Sequence, residues 1–144
     1  MRAAILDTNV YIDFWERGSN AGPLARIHAA FVVRHSAVVL SELRRGARTQ
    51  QARRTVESLF RHAPEVWEPS AADWWEGGKL IRDVGDEQAP TVAFATWDTN
   101  KRREFQNDVL IALTARSKDA LLVTSNRADF QKIERRLGVR IQYL

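Results

Sequence analysis

Four acidic residues occupy settings in which a carboxylate can meet a ligand. Asp7 follows the apolar run that ends at Leu6, and Glu42 follows Val38-Val39-Leu40 and Ser41. Asp108 opens an apolar helical stretch behind Asn107, and Asp129 comes one helical turn after Thr124-Ser125-Asn126. Carboxylates gathered in one cleft repel one another and raise each other's pKa values unless a cation neutralises them. Such a cluster therefore implies a hard divalent ion on oxygen ligands. Mg²⁺ or Mn²⁺ suits it, because the chain has no cysteine and no histidine pair at ligand spacing. A hard cation beside a basic surface suggests phosphodiester hydrolysis, with the ion lowering the pKa of a bound water and polarising the phosphoryl oxygen.

For these acids to meet, the elements around them must end at one place. The run from Arg2 to Leu6 reads as a strand, and Val10 to Arg17 as a helix. A second helix is predicted from Pro23, with Leu24, Ile27, Ala30 and Phe31 on one face, and a second strand over Ser36–Leu40. Gln51–His62 has a helical pattern ended by Pro64, and Val66–Pro69 suits a short strand. Ser70 caps a predicted helix over Ala71–Val84, stopped by Gly85, while Asp86–Arg103 is a connection holding a helix of undefined length. Asn107–Ser117 reads as helix and Leu121–Thr124 as a buried strand. Asn126 caps a helix to Leu137, and Val139–Tyr143 alternates as an edge strand. Strands alternating with helices predict an α/β fold, a three-layer α/β/α sandwich with a mainly parallel central sheet, in a single domain over residues 1–144. In such a sheet the carboxyl ends of the strands share one edge, and ligands bind in the crevice outside it.

Each acid also has a plainer explanation, because the helix dipole favours acids in a first turn. Asp7 suits an N-cap, Glu42 and Asp108 suit first-turn positions, and Asn126 with Asp129 resembles a capping box. Capping accounts for any one of them. It does not account for four at one sheet edge.

The remaining polar residues fit the same crevice. Thr8, Asn9, Thr124, Ser125 and Asn126 would orient water or phosphate, and Arg44, Arg45, Arg48, Lys101, Arg102 and Arg103 would hold a nucleic-acid backbone. The alternative for either basic run is a solvated helix face. Across 144 residues, 22 basic side chains outnumber 18 acidic ones for a net charge of +4, which suits a polyanionic partner. Absence of cysteine excludes thiol chemistry and thiolate metal sites and permits a reducing cytoplasm. No apolar stretch has the length of a signal peptide or membrane span, so a cytoplasmic location without membrane attachment is expected. Trp67, Trp74, Trp75 and Trp97 suit core or interface positions, or stacking on a base; His28, His35 and His62 are given no catalytic role.

Four blocks carry a resemblance: Ile5-Leu6-Asp7-Thr8-Asn9-Val10, Val39 to Gly46 around Glu42, Asn107 to Ala115 around Asp108, and Val123 to Phe130. Together and in this order they resemble a PIN domain, and within that superfamily a VapC-type toxin ribonuclease. The resemblance implies a Mg²⁺-dependent endoribonuclease cutting tRNA or rRNA, with Asp7, Glu42 and Asp108 as metal-site carboxylates, Thr124 as a hydroxyl beside them and Asp129 nearby. Some PIN domains carry Asp where this chain has Asn126, so either Asn126 or Asp129 completes the site. A homodimer and a cognate antitoxin that covers the site are implied too. Two alternatives compete. A haloacid-dehalogenase-like phosphohydrolase also ends its first strand in Asp, but Asn9 stands where it needs a second Asp. A non-catalytic RNA- or antitoxin-binding module leaves the four acids unexplained.

Overall fold

The computed structural model describes residues 1–88 and 97–144. Five strands, β1 (Ala3–Leu6), β2 (Val32–Ser36), β3 (Val66–Trp67), β4 (Leu121–Thr124) and β5 (Ile141–Tyr143), form one sheet in the order β3-β2-β1-β4-β5. Every pairing is parallel, so the sheet is parallel throughout. Seven helices among the described residues flank it: α1 (Thr8–Arg17), α2 (Ala21–Ala30), α3 (Ala37–Gly46), α4 (Gln50–His62), α5 (Ala71–Gln88), α6 (Thr99–Ser117) and α7 (Arg127–Glu134). The two central strands are the most apolar. Ala4, Ile5, Leu122 and Val123 are fully buried, as expected of parallel strands covered on both faces.

The expected strand over Ser36–Leu40 is a helix start instead, and β2 lies four residues earlier. Two Val-Val pairs compete for the strand. Ser36 decides between them, because its hydroxyl accepts the Val39 amide hydrogen and caps α3, whose Val39, Leu40 and Leu43 turn one face inward. Val32 and Val33 then pair with Ala3 and Ala4. Phe31, expected on the α2 face, is extended and leads into β2. Three further boundaries move. Helix α2 starts two residues before Pro23, α5 runs on through Gly85, and α7 stops at Glu134.

The largest shift concerns α6, which starts at Thr99 with the Asp98 carboxylate accepting the Lys101 amide hydrogen at 2.8 Å. Asp108 thus stands more than two turns inside the helix. Part of the 86–103 connection, residues 89–96, lies outside the described residues. At the other end of α5, Ser70 and Asp73 form a reciprocal capping box, the Asp73 amide donating to the Ser70 hydroxyl at 3.1 Å and the Ser70 amide to the Asp73 carboxylate at 3.0 Å. Helix α1 ends at Gly18, whose φ of +65° closes the helix in a conformation open to glycine.

Candidate active site

The chain leaves β3 on one side of the sheet and returns as β4 on the other side of β1, so the topological switch point lies between β1 and β4. Asp7 stands there. It directly follows β1, caps α1 by accepting the Thr8 amide hydrogen at 2.8 Å, and accepts the hydroxyl of Thr124, the last residue of β4, at 2.8 Å. Its own amide donates to the Val123 carbonyl at 2.9 Å. Asp7 and Thr124 are both buried.

Around this pair the remaining groups are held by short local bonds. The Thr8 hydroxyl donates to Glu42 Oε1 at 2.8 Å, tying α1 to α3. The Asn126 amide hydrogen goes to Thr124 Oγ1 at 3.0 Å, and Asn126 Oδ1 accepts the Asp129 amide hydrogen at 3.3 Å. The capping box expected there is only half formed. The Asp129 carboxylate does not return to the Asn126 backbone; it accepts from Asn126 Nδ2 at 3.2 Å, and the same nitrogen reaches Asp108 Oδ2 at 3.4 Å. Asn126 and Asp129, the two candidates for the fourth position, are thus bonded to each other, and Asn126 links Asp129 to Asp108.

The plainer explanation holds for Asp7 and fails for two others. Glu42 is the sixth residue of α3 and Asp108 the tenth of α6, both past the first turn where a dipole or cap would reward an acid. Asp108 is only 9% exposed. Burial pushes its carboxyl well above the usual carboxylate range, and Asp7, Asp129, Glu42 and Glu104 add like charge in the same direction. Burial likewise pushes Asp7 up to about 6; the Thr124 hydroxyl and Thr8 amide oppose the rise, and Glu42 adds to it. Among the described residues, no lysine or arginine forms an ion pair with Asp7, Glu42 or Asp108. Asp129 has one at its side, Lys132 at 3.8 Å.

Not every expected residue joins this cluster. Asn9 is exposed in the first turn of α1, and Ser125 contributes its carbonyl to the Arg127 amide. Arg44, Arg45, Arg48, Lys101 and Arg103 are exposed, and Arg102 is half-buried. Arg45, three residues from Glu42, shares its side of α3, whereas Arg44 lines the groove toward α4. Lys101 lies seven residues before Asp108 on the same stripe of α6, its ammonium 4.6 Å from the centre of the Trp97 ring. Trp67 and Trp97 are core residues, while Trp74 and Trp75 are exposed. Sequence reading missed Glu104, a further acid acting on Asp108; its spacing of four from Asp108 was the available signal.

As the side chains stand, no group of three or more acids or histidines among the described residues is arranged to hold a metal ion. The donor set nevertheless suits a hard cation. Apart from Lys132 beside Asp129, the polar atoms bonded to Asp7, Glu42, Asp108 and Asp129 belong to carboxylates, hydroxyls or amides, and burial with like charge holds the Asp7 and Asp108 carboxyls above the usual range in the absence of a cation.

The family profile for the PIN domain matches residues 4–136. The chain belongs to the PIN domain family. Solved structures similar to this PIN domain include VapBC-1 of nontypeable Haemophilus influenzae, at 23% identity over 98% of this chain and 97% of that one, with a TM-score of 0.70. VapBC2 of Rickettsia felis, bound to a DNA fragment from its promoter, is 22% identical over 99% of this chain and 98% of that one, with a TM-score of 0.66. VapBC-5 of Mycobacterium tuberculosis is 20% identical over the whole of both chains, with a TM-score of 0.57. These likenesses place the fold of this PIN domain beside VapC toxins. Comparison with curated proteins gives no significant match.

Proposed function

We propose that this PIN domain is a Mg²⁺-dependent endoribonuclease and the toxin of a toxin–antitoxin pair. One observation carries the reading: Asp108 is a buried acid in the interior of a helix, with other acids for neighbours and no cationic side chain paired to it among the described residues. A fold gains nothing from that arrangement. A cation-binding nuclease does.

Asp7, Glu42 and Asp108 would hold Mg²⁺ or Mn²⁺, with Asp129 as the fourth acid and Asn126 bridging it to Asp108. When bound, the ion would supply an activated water and a polarised phosphoryl oxygen. The protein's own contribution is orientation. Thr124 and the Thr8 amide fix both oxygens of Asp7, and the Thr8 hydroxyl fixes Glu42, so two of the acids are aimed before substrate arrives. Exposed Arg45 and Lys101, on the helix sides that carry Glu42 and Asp108, suit the flanking phosphates. An RNA-cutting toxin would work in the cytoplasm; no helix among the described residues is long and apolar enough to cross a membrane. The similar VapBC structures support a cognate antitoxin as partner, and a homodimer is part of the same reading.

The test is to sequence RNA ends from cells expressing the wild type or Asp7→Ala. New 5′-phosphate ends confined to the wild type, reproduced by purified protein with Mg²⁺ and abolished by EDTA, are the expected result. Intact RNA in every condition, or cleavage that survives EDTA with cyclic phosphate ends, would remove the metal-dependent nuclease.

A further inference from the structure

The net positive charge of this protein is concentrated on one hairpin. Between residues 44 and 62, Arg44, Arg45, Arg48, Arg53, Arg54 and Arg61 stand against a single acid, Glu57, a net of +5 where the whole chain has +4. All six arginines are exposed, and none forms an ion pair among the described residues. Exposed arginines without carboxylate partners provide a field for a polyanion.

The side of α4 facing α1 and β2 adds a recess of about 710 Å³, lined by Trp15, His35, Arg54, Thr55, Ser58 and His62. Its volume falls in the range of about 300–1,000 Å³ common for small-ligand sites. The lining is mixed in a particular way. Trp15 is 38% exposed and backed by Tyr11, ring centres 5.5 Å apart, and Tyr11 is anchored by its hydroxyl 2.9 Å from His35 Nδ1. The Tyr11 ring, tilted at 46°, supports an indole that is partly open to solvent. Beside it, His62 has Nδ1 engaged by the Ser58 carbonyl at 2.9 Å, which leaves Nε2 as the free polar atom of the ring. The Thr55 hydroxyl donates to the Gln51 carbonyl at 3.0 Å and the Ser58 hydroxyl lies 3.2 Å from His62 Nδ1, so both remain as acceptors. With the His62 imidazole, the Arg54 guanidinium and the apolar Leu59 around an exposed indole, they suit a planar, hydrogen-bonding group that carries a phosphate.

The recess is linked to the carboxylates through α1 and β2. Asp7 caps α1 and Trp15 is eight residues along it, about 12 Å at 1.5 Å per residue. Ile5 pairs with Arg34, so His35 follows beside Leu6, one residue short of Asp7.

We infer that this recess is a nucleobase-binding subsite, in which an unpaired base of the RNA strand stacks on Trp15 while Arg54 and its neighbours on the hairpin hold the adjoining phosphates. The inference rests on the nuclease reading for its substrate class. An acidic protein surface is the competing occupant; the aromatic face beside hydroxyl and imidazole groups favours a nucleotide.

Binding separates this inference from the cleavage reading. Fluorescence anisotropy of a short, labelled, mixed-sequence single-stranded RNA is measured on the Asp7→Asn chain, silenced for cleavage, across a salt series. Trp15→Ala should weaken binding about tenfold, and Trp15→Tyr should restore most of it, because stacking tolerates a change of ring. Arg54→Ala should reduce the slope of log affinity against log salt by about 0.7, the value for one phosphate contact on a single strand. A fully paired duplex of the same sequence should be indifferent to Trp15. Should Trp15→Ala fail to fold, Arg54→Ala and His62→Ala decide the matter on the same readouts. Unchanged single-strand affinity and salt slope in folded variants overturns the subsite, even if the wild type cuts RNA. So does intact RNA binding alongside loss of a co-expressed partner protein, which would assign the surface to protein docking. Absence of cleavage by the wild type would instead count against the nuclease reading.

Discussion

Asp73 and Asp108 are both buried aspartates on neighbouring helices, and their surroundings are opposite. Asp73 is 4% exposed, yet it accepts the Ser70 amide hydrogen and the Ser117 hydroxyl, each at 3.0 Å, and the next turn of α5 carries Glu76 in a two-pronged pair with Arg116 at 2.9 and 2.5 Å. Asp108 has one long amide contact and four acidic neighbours. The first carboxylate ties α5 to α6 and contributes to the fold. The second opposes it, as expected of the proposed cation site. A buried acid is informative about function through what faces it, not through its burial.

The widest separation between the two should come from conservative substitution. Asp108→Asn is expected to lower ribonuclease activity about 100-fold or more while leaving the melting temperature unchanged or raised, since removing a metal-site acid removes catalysis together with a repulsive charge. Activity and thermal melts on one preparation check it; a melting temperature lowered by many degrees would make Asp108 structural after all.

A pH series in chelator sharpens the same contrast. With its folded pKa raised to about 6, Asp7 holds a proton in the native state that the unfolded chain, near 3.8, has released. Its contribution to stability is full below the unfolded value and is lost as pH rises through about 6, on the order of 2–3 kcal/mol. Metal-free protein should therefore resist denaturant better at pH 5 than at pH 7.5, and Mg²⁺ should recover the difference at the higher pH. Equal stability at both pH values without metal would count against the crowded acids.

Asp73→Ala should do the reverse of Asp108→Asn. Loss of half a capping box and a hydrogen bond to Ser117 is expected to cost about 2 kcal/mol of stability with cleavage retained. Smallest of all, Lys132→Ala breaks a partly exposed pair at 3.8 Å with Asp129 and should change stability by less than about 0.5 kcal/mol. A larger loss would show Lys132 neutralising the acid cluster.

Much of this was legible in the sequence, and the misses share a cause. β1, β4 and α4 stand where their apolar patterns put them, and the caps Ser70 and Asn126 are real, because each signal is local: a run, a period or one side chain reaching three residues on. β2 was misplaced because Val32-Val33 and Val38-Val39 are equally good strand cores, and pairing with β1, a tertiary fact, selects the first. The start of α6 was hidden because Thr99–Glu104 contains no apolar residue to show a period. That miss mattered most. With the helix begun at Asn107, Asp108 looked like a first-turn acid, and the plain explanation survived; begun at Thr99, it does not. The fold placed Asp7, Glu42, Asp108, Asn126 and Asp129 in one neighbourhood, while Asn9 and Ser125 were included on chain proximity alone and show no side-chain contact with it.

The bond from Thr124 to Asp7 joins residues 117 apart in a chain of 144. β1 leaves the ribosome well before β4, and synthesis runs at about 5–20 residues per second. Until β4 has emerged, Asp7 lacks the hydroxyl that holds it, and the Asn126 bridge between the remaining acids does not exist. A nascent chain surrounded by ribosomal RNA, mRNA and tRNA thus carries its acids separately. The order of translation itself keeps the site unassembled until β4 has followed β1 out of the ribosome.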